Sequence, residues 1–155
     1  MRWDEINFEE KVWTLPESRT KQGSEHRVPL SARALELLAR QRHHSNGSHV
    51  WVSRQGRAGK PILIKAIYKY LTETLDMRVT IHGFRATFRT WAGNETHFDR
   101  ITCELALGHA AGDAVELAYR RGDALTKRRA LMDAWAAYVE GSPQLPEAPQ
   151  ASGAV

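Results

Sequence analysis

The sequence predicts an α+β fold in which a small N-terminal antiparallel sheet precedes a mainly helical bundle. The segments with strand character that we single out lie before residue 54, and the chain after Pro61 is predicted to be helical. The chain has 155 residues, of which 42% are apolar and 26% charged, and this composition suits one globular domain. Strands and helices that are segregated along the chain are typical of the α+β class.

A β-hairpin is predicted first. The segments Lys11 to Leu15 (KVWTL) and His26 to Leu30 (HRVPL) have the composition of strands, and the polar segment from Ser18 to Ser24 connects them. This connection carries Arg19 and Lys21, so the hairpin has a basic tip. A further short strand is predicted from 49 to 53 (HVWVS), and the polar residues after it (RQGRAGK) are typical of a loop.

Capping residues set the boundaries of the predicted helices. Ser31 precedes a helix whose apolar face is formed by Ala34, Leu35, Leu37 and Leu38. Pro61 suits the first turn of a helix that carries Ile64, Ile67, Tyr68 and Leu71. Thr80 caps a helix ending near Gly93, and Asp99 caps another that Gly108 stops.

Two more helices are predicted, from Asp113 to Tyr119 and from Ala124 to Glu140. The last one has an apolar stripe made of Leu131, Ala134, Trp135, Tyr138 and Val139. This stripe packs either on the chain's own core or on a neighbouring protomer. Residues 1–141 are therefore predicted to form the domain, and residues 142–155, rich in Pro, Ala, Ser and Gly, a disordered tail.

Composition also excludes several classes of protein. No apolar run approaches the roughly 18 residues that a membrane span needs, and the acidic N-terminus does not resemble a signal peptide. Cys103 is the only cysteine, which excludes an internal disulfide and indicates a reducing compartment, the cytoplasm. The net charge of +4 favours a polyanionic partner weakly.

A first group of polar residues lies in the segment TIHGFRATFRTW, which starts at Thr80. His82 and Arg85 are three residues apart and share a helical face, to which Arg89 adds another cation. The apolar stripe of the same helix consists of Phe84, Phe88 and Trp91. An imidazole beside a guanidinium near a helix start suits a phosphate ligand. A solvated polar face is the alternative.

A second group lies in the segment from Leu105 to Arg121. His109 directly follows Gly108, and Tyr119 comes ten residues later, with two arginines behind it. A phenol of ordinary pKa, about 10, is a poor nucleophile. It becomes reactive where cations favour the phenolate and a base accepts the proton. The alternative for Tyr119 is an interfacial aromatic residue.

Taken together and in order, these pieces resemble the catalytic domain of the tyrosine recombinase family, the phage and prophage integrases. The resemblance rests on T20-K-Q-G, H82-x-x-R85, L107-G-H109 and A118-Y119-R, and it extends from R2-W-D-E-I6 to the final helix near Glu140. The segments V28-P-L-S31 and Y119-R-R-G-D are most similar to the prophage integrase branch.

The resemblance implies an enzyme that breaks and rejoins DNA without metal or ATP, through a 3′-phosphotyrosyl intermediate. Tyr119 would be the nucleophile, and Arg85 and His109 would bind the oxygens of the scissile phosphate. His82 would orient the phosphate and assist proton transfer. Lys21 would protonate the 5′-oxygen leaving group. The alternatives are Arg19 in this role and an ordinary solvated lysine at position 21. The implied partners are double-stranded DNA carrying attachment sites and other recombinase protomers.

Further basic residues are predicted to contact the DNA backbone. They are Arg54, Lys65, Lys69, Arg89, Arg120 and Arg121, together with Arg57 and Lys60. Ordinary solvated cations are the alternative for the pair at 120–121. A metal site at His43, His44 and His49 is disfavoured, because no cysteine and only distant acids accompany these histidines.

The chain also departs from the family pattern. The family has another catalytic arginine, in a short helix before the segment that matches R2-W-D-E-I6, and an amino-terminal DNA-binding domain usually precedes it. Arg2 belongs to the structural part of the motif. We therefore expect a fragment that is weakly active or inactive, and a non-catalytic DNA-binding fragment is the alternative function.

Overall fold

The protein has an antiparallel sheet of three strands in the order β1-β2-β3, and five helices follow within the part of the chain that the structure describes. The computed structural model describes residues 1–45, 47–53, 60–109 and 124–141. The strands are β1 (Ile6–Asn7), β2 (Val12–Leu15) and β3 (His26–Pro29). The helices are α1 (Ala32–Arg42), α2 (Ile64–Lys69), α3 (Ile81–Asn94), α4 (Arg100–Ala106) and α5 (Leu125–Val139). The predicted α+β class is confirmed.

The predicted hairpin is formed by β2 and β3. The two strands are antiparallel: Val12 pairs with Pro29 and Leu15 pairs with His26, so all four residues of each strand are paired. The connection between them contains a short 3-10 turn, Glu17–Arg19. The basic residues of this connection therefore lie at one end of the sheet.

Side-chain caps start three of the helices, as the sequence predicts. Ser31 Oγ accepts a hydrogen bond from the amide of Ala34 at 3.3 Å. Thr80 Oγ1 accepts one from Gly83 at 2.9 Å. Asp99 Oδ1 accepts one from Thr102 at 2.9 Å. Each of these side chains satisfies an amide that has no partner within its helix.

Two clusters of buried residues form the core. The larger one joins α3, α4 and α5 and contains Phe88, Trp91, Ala92, Cys103, Leu131 and Ala134. The smaller one lies between the sheet and α1 and contains Ile6, Leu38 and Val50. The buried part of α5 thus packs on the chain's own core. This is the first of the two alternatives given for its apolar stripe.

Arginines of α5 connect the helical cluster to the sheet. Arg128, which is 1% exposed, donates from Nη2 to the carbonyl oxygen of Arg27 in β3. Arg129 donates from Nη2 to the carbonyl oxygen of Glu10, before β2, at 2.5 Å. The last helix therefore fixes the position of the hairpin relative to α3 and α4.

The segment between α1 and α3 differs from the prediction. Residues 49–53 do not form a continuous strand; they make isolated bridges, in which Arg2 pairs with His49 and Val52 pairs with Pro61. Because Pro61 is held in this bridge, helix α2 begins only at Ile64. The end of α2 widens into a π-helical turn over 70–74.

Some residues predicted for apolar helix faces are exposed. Leu37 is 44% exposed, Phe84 50% and Val139 63%. Each of these helices packs against only one of the two core clusters. The buried part of its surface is therefore narrower than its apolar stripe, and residues at the edge of the stripe stay exposed. The apolar residues of α2 that follow Pro61, among them Ile64 and Ile67, are exposed as well.

Residues 54–59 of the predicted loop, the predicted helix from Asp113 to Tyr119 and the predicted tail at 142–155 lie outside the described residues. Among the helices that the structure describes, none combines the length and hydropathy needed to cross a bilayer.

Candidate functional site

Helix α3 presents polar side chains on one side and packs on the core with the other. Phe88 and Trp91 are 7% and 3% exposed and face α5, where Trp135 lies with its ring centroid 5.4 Å and 5.0 Å from theirs. His82 in the first turn and Arg85 one turn later are exposed. The amphipathic pattern of α3 thus directs these two side chains away from the core.

Arg85 binds the turn that follows α4. Its Nη2 atom donates to the carbonyl oxygen of Leu107 at 2.7 Å and lies 2.7 Å from Nε2 of His109. Gly108 adopts a φ of +66°, a left-handed conformation that stops the helix and turns the chain. The turn therefore brings together two predicted site residues that are 24 positions apart in the sequence.

Glu104 of α4 connects this pair to a second arginine. Its Oε2 atom lies 2.6 Å from Nδ1 of His109, and its Oε1 atom accepts a hydrogen bond from Nε of Arg89 at 2.7 Å. The carboxylate is largely buried, with 18% of its side chain exposed. Arg85, His109, Glu104 and Arg89 thus form one continuous polar network, which we call the Arg–His–Glu–Arg network.

The proton positions within this network follow from chemistry. A guanidinium can only donate, so Nε2 of His109 accepts the hydrogen bond from Arg85. A neutral imidazole then carries its proton on Nδ1 and donates it to Glu104. The hydrogen bond from His109, assisted by Arg89, lowers the pKa of Glu104 against the opposing effect of burial. Glu104 is therefore ionised at neutral pH.

Sequence reasoning missed Glu104. It precedes His109 by five residues, and a helix end separates the two, so regular helical spacing does not pair them. The signal that could have found it is the position of an acid in the last turn of a helix that directly precedes the Gly108–His109 pair. An acid there is close enough to hydrogen-bond a side chain in the following turn.

The hairpin connection touches the same turn. Gln22 donates from its side-chain amide to the carbonyl oxygen of Gly108 at 2.6 Å. A Cβ atom built on Gly108 would lie 3.4 Å from Nε2 of His26, so β3 also approaches this turn closely. Lys21 precedes Gln22 directly and is exposed. The basic tip is therefore anchored beside the segment that carries His109.

The other predicted DNA contacts fall into three groups. Lys65 and Lys69 are exposed on α2, and Lys69 Nζ lies 3.5 Å from Glu73. Arg89 is engaged by Glu104 within the network. The predicted nucleophile Tyr119, together with Arg54, Arg120 and Arg121, lies outside the described residues. Their roles, like those of the other site residues, stay predictions.

A metal centre and a reactive cysteine are the remaining candidates for chemistry among the described residues. Within residues 1–45, 47–53, 60–109 and 124–141, no three His, Cys, Asp or Glu side chains are grouped closely enough to hold a metal ion. Cys103 is 1% exposed and packs in the larger core cluster. Burial raises the pKa of the Cys103 thiol, so this side chain has the properties of a core residue.

Comparison with known proteins shows which family the chain belongs to. The family model described as the phage integrase family matches residues 1–124, and the chain belongs to this family. It is 33% identical to the prophage integrase IntA and 32% identical to the prophage integrase IntZ, both of Escherichia coli K12, over 91% and 94% of its length. It is 29% identical to the integrase of Shigella phage Sf6 over 90% of its length.

These matches cover 34% of IntA, 38% of IntZ and 37% of the Sf6 integrase. The chain thus spans little more than a third of the length of the curated relatives it matches. No solved structure gave a significant match.

Proposed function

We propose that the chain is the catalytic part of a site-specific DNA recombinase that cleaves and rejoins strands through a covalent bond between Tyr119 and a 3′-phosphate. The observation that supports this most directly is the contact between Arg85 and His109 at 2.7 Å. The two motif residues that would bind the phosphate come from different helices, and they meet at the protein surface.

The proposed reaction needs no cofactor. The phenol oxygen of Tyr119 attacks the phosphorus, and the bond from phosphorus to the 5′-oxygen breaks. The phenol proton passes to a base, for which His82 is our candidate, and Lys21 donates a proton to the departing 5′-oxygen. A 5′-hydroxyl of another strand then attacks the phosphotyrosine and releases Tyr119, which restores both the phosphodiester and the enzyme.

The described groups supply the electrostatic part of this chemistry. A phosphoryl transition state carries its charge on the nonbridging oxygens, so fixed donors lower the barrier. The exposed fork of Arg85 provides such donors, and His109 lies beside it. Gln22 anchors the hairpin tip to Gly108, which supports a role for Lys21 at the same phosphate. Other protomers on the DNA would cleave the strand that supplies the attacking 5′-hydroxyl.

Covalent trapping on DNA tests the proposal. A library of nicked duplexes is incubated with the 155-residue chain and with a version extended upstream to the length of the relatives. Adducts are detected on denaturing gels. We expect the extended protein to form an adduct that Tyr119→Phe abolishes. Arg85→Ala should reduce the rate by about 10² to 10³, the usual cost of losing one preorganised donor.

The matched control is Glu9→Gln, which alters an exposed acid in the turn between β1 and β2. It should leave adduct formation unchanged, and circular dichroism should show that every variant is folded. An adduct that survives Tyr119→Phe would refute the assignment of the nucleophile. Salt-sensitive DNA binding without any adduct, in the extended protein as well, would favour the alternative of a non-catalytic DNA-binding module.

A further inference from the structure

Resting on the proposed function, we propose that Glu104 is a positioning residue that couples phosphate binding at Arg85 and His109 to the uptake of one proton from solvent. Glu104 touches neither Arg85 nor the proposed phosphate position directly. It acts through His109, whose Nδ1 atom it contacts at 2.6 Å.

The starting state is fixed by the direction of two hydrogen bonds. Arg85 Nη2 lies 2.7 Å from His109 Nε2 and can only donate, so this nitrogen carries no proton. The remaining imidazole proton is on Nδ1 and is donated to Glu104. In the protein without DNA, His109 is therefore the neutral Nδ1–H tautomer.

The phosphate-bound state requires a different arrangement. Phosphate oxygens only accept hydrogen bonds, so His109 must carry a proton on Nε2 to bind them. If the contact between Nδ1 and Glu104 is kept, the two side chains together hold one proton more than before. The proton count is the same whether that proton resides on the imidazole or on the carboxyl group. It comes from solvent, and no other bond changes.

The surrounding charges explain why binding and protonation would occur together. Arg85 and Arg89 of α3 and Lys21 of the hairpin tip are cations, and His26 of β3 lies beside the Gly108 turn. Against them, Glu104 is the one acid that touches His109 among the described residues. A protonated His109 would be a second cation 2.7 Å from the Arg85 guanidinium. This is unfavourable until an anion lies between the two groups. The phosphate supplies that anion.

Selective labelling of the histidines with ¹⁵N tests the proposal in the full chain. Long-range proton–nitrogen spectra distinguish both neutral tautomers and the imidazolium, and His109→Gln identifies the signal by its loss. At pH 8 without DNA, we expect the Nδ1–H tautomer. Addition of a duplex should move Nε2 of His109 to the protonated pattern. Calorimetry in two buffers of different ionisation enthalpy should show proton uptake close to one per bound site.

Glu104→Gln keeps an acceptor for Nδ1 but removes the charge. We expect its DNA-bound His109 to gain the second proton only at lower pH, with affinity at pH 8 reduced about tenfold, the equivalent of one pH unit, and regained at pH 6. Glu9→Gln changes the net charge equally and should behave as wild type. A purely structural role would weaken binding at every pH.

The two hypotheses fail in different ways. A protein that binds no DNA refutes the proposed function, while the tautomer of the free protein still decides the role of Glu104. An Nε2–H tautomer in the free protein would overturn the inference. So would a DNA-bound wild-type His109 whose Nε2 atom stays unprotonated, or DNA binding that takes up no proton. Neither of these wild-type measurements depends on a variant that must fold.

Discussion

The side-chain amide of Gln22 donates a hydrogen bond to the carbonyl oxygen of Gly108 across 2.6 Å, joining positions 86 residues apart. This bond anchors the hairpin tip to the turn that carries His109. The same turn is held on its other side by Arg85, through the carbonyl oxygen of Leu107. Three separate parts of the chain thus meet at one turn, and the predictions below test their connections.

Gln22→Ala should loosen the hairpin tip while leaving the fold intact. The bond is exposed, so we expect a loss of about 1 kcal/mol or less in the free energy of unfolding. Amide hydrogen exchange of residues 20–24 should become faster, because local opening needs less free energy. Ser18→Ala, an exposed change in the same connection, is the control. Unchanged exchange in Gln22→Ala would show that this bond does not hold the tip.

Gly108→Ala and Gly23→Ala form a matched pair. Both glycines have positive φ, +66° and +62°, so an alanine costs about 1 kcal/mol at either position. An added Cβ meets only ordinary contact with His26 at Gly108, and nothing within 4 Å at Gly23. We expect equal losses of stability in urea unfolding. DNA affinity should fall only for Gly108→Ala, because that residue orients His109; equal affinities would contradict this.

Trp135→Ala tests how α5 is held on the core. The indole makes an edge contact with Phe88 and lies 5.0 Å from Trp91 between ring centroids. Removing it should cost about 3 kcal/mol in the free energy of unfolding. Val139→Ala, at a position 63% exposed, should cost less than about 0.5 kcal/mol. Similar losses for both variants in a denaturant titration would indicate that α5 does not pack as described.

Acid unfolding should depend on Glu104. Because the hydrogen bond from His109, together with Arg89, lowers its pKa below the ordinary value of 4.5, the folded state binds this proton less readily than the unfolded state does. The stabilisation is therefore complete above pH 4.5 and is lost as the pH falls through the lower folded value. Between pH 5 and pH 3, Glu104→Gln should show a shallower decline in thermal stability than wild type. Equal slopes would contradict the ion pair.

Local signals predicted the fold well where one residue decides the outcome. Ser31, Thr80 and Asp99 each cap a helix, because a short polar side chain can satisfy a helix amide within three residues of itself. The helix stop at Gly108 follows from the left-handed conformation that glycine adopts readily. These features depend on neighbours in the sequence, so they can be recognised without knowledge of the tertiary structure.

Features that depend on distant partners were harder to predict. Pro61 pairs with Val52 in an isolated bridge, so it is extended and not helical. Helix α2 therefore starts at Ile64 and not at the predicted Pro61. At the site, the H-x-x-R and L-G-H motifs predicted Arg85 and His109, but their contact and the carboxylate of Glu104 arise only from the packing of α3 against α4. Spacing along a single helix could not reveal either.

The bonds from α5 to the hairpin have a consequence for sequence change. Arg128 and Arg129 reach the main-chain oxygens of Arg27 and Glu10, and every amino acid supplies the same oxygen. Substitutions at those two receiving positions therefore leave these acceptors in place, whereas replacing either arginine removes a donor. Positions 10 and 27 should therefore tolerate most substitutions, whereas positions 128 and 129 should not. A saturation library of all four positions would show more folded variants at the two acceptor positions than at the two arginines.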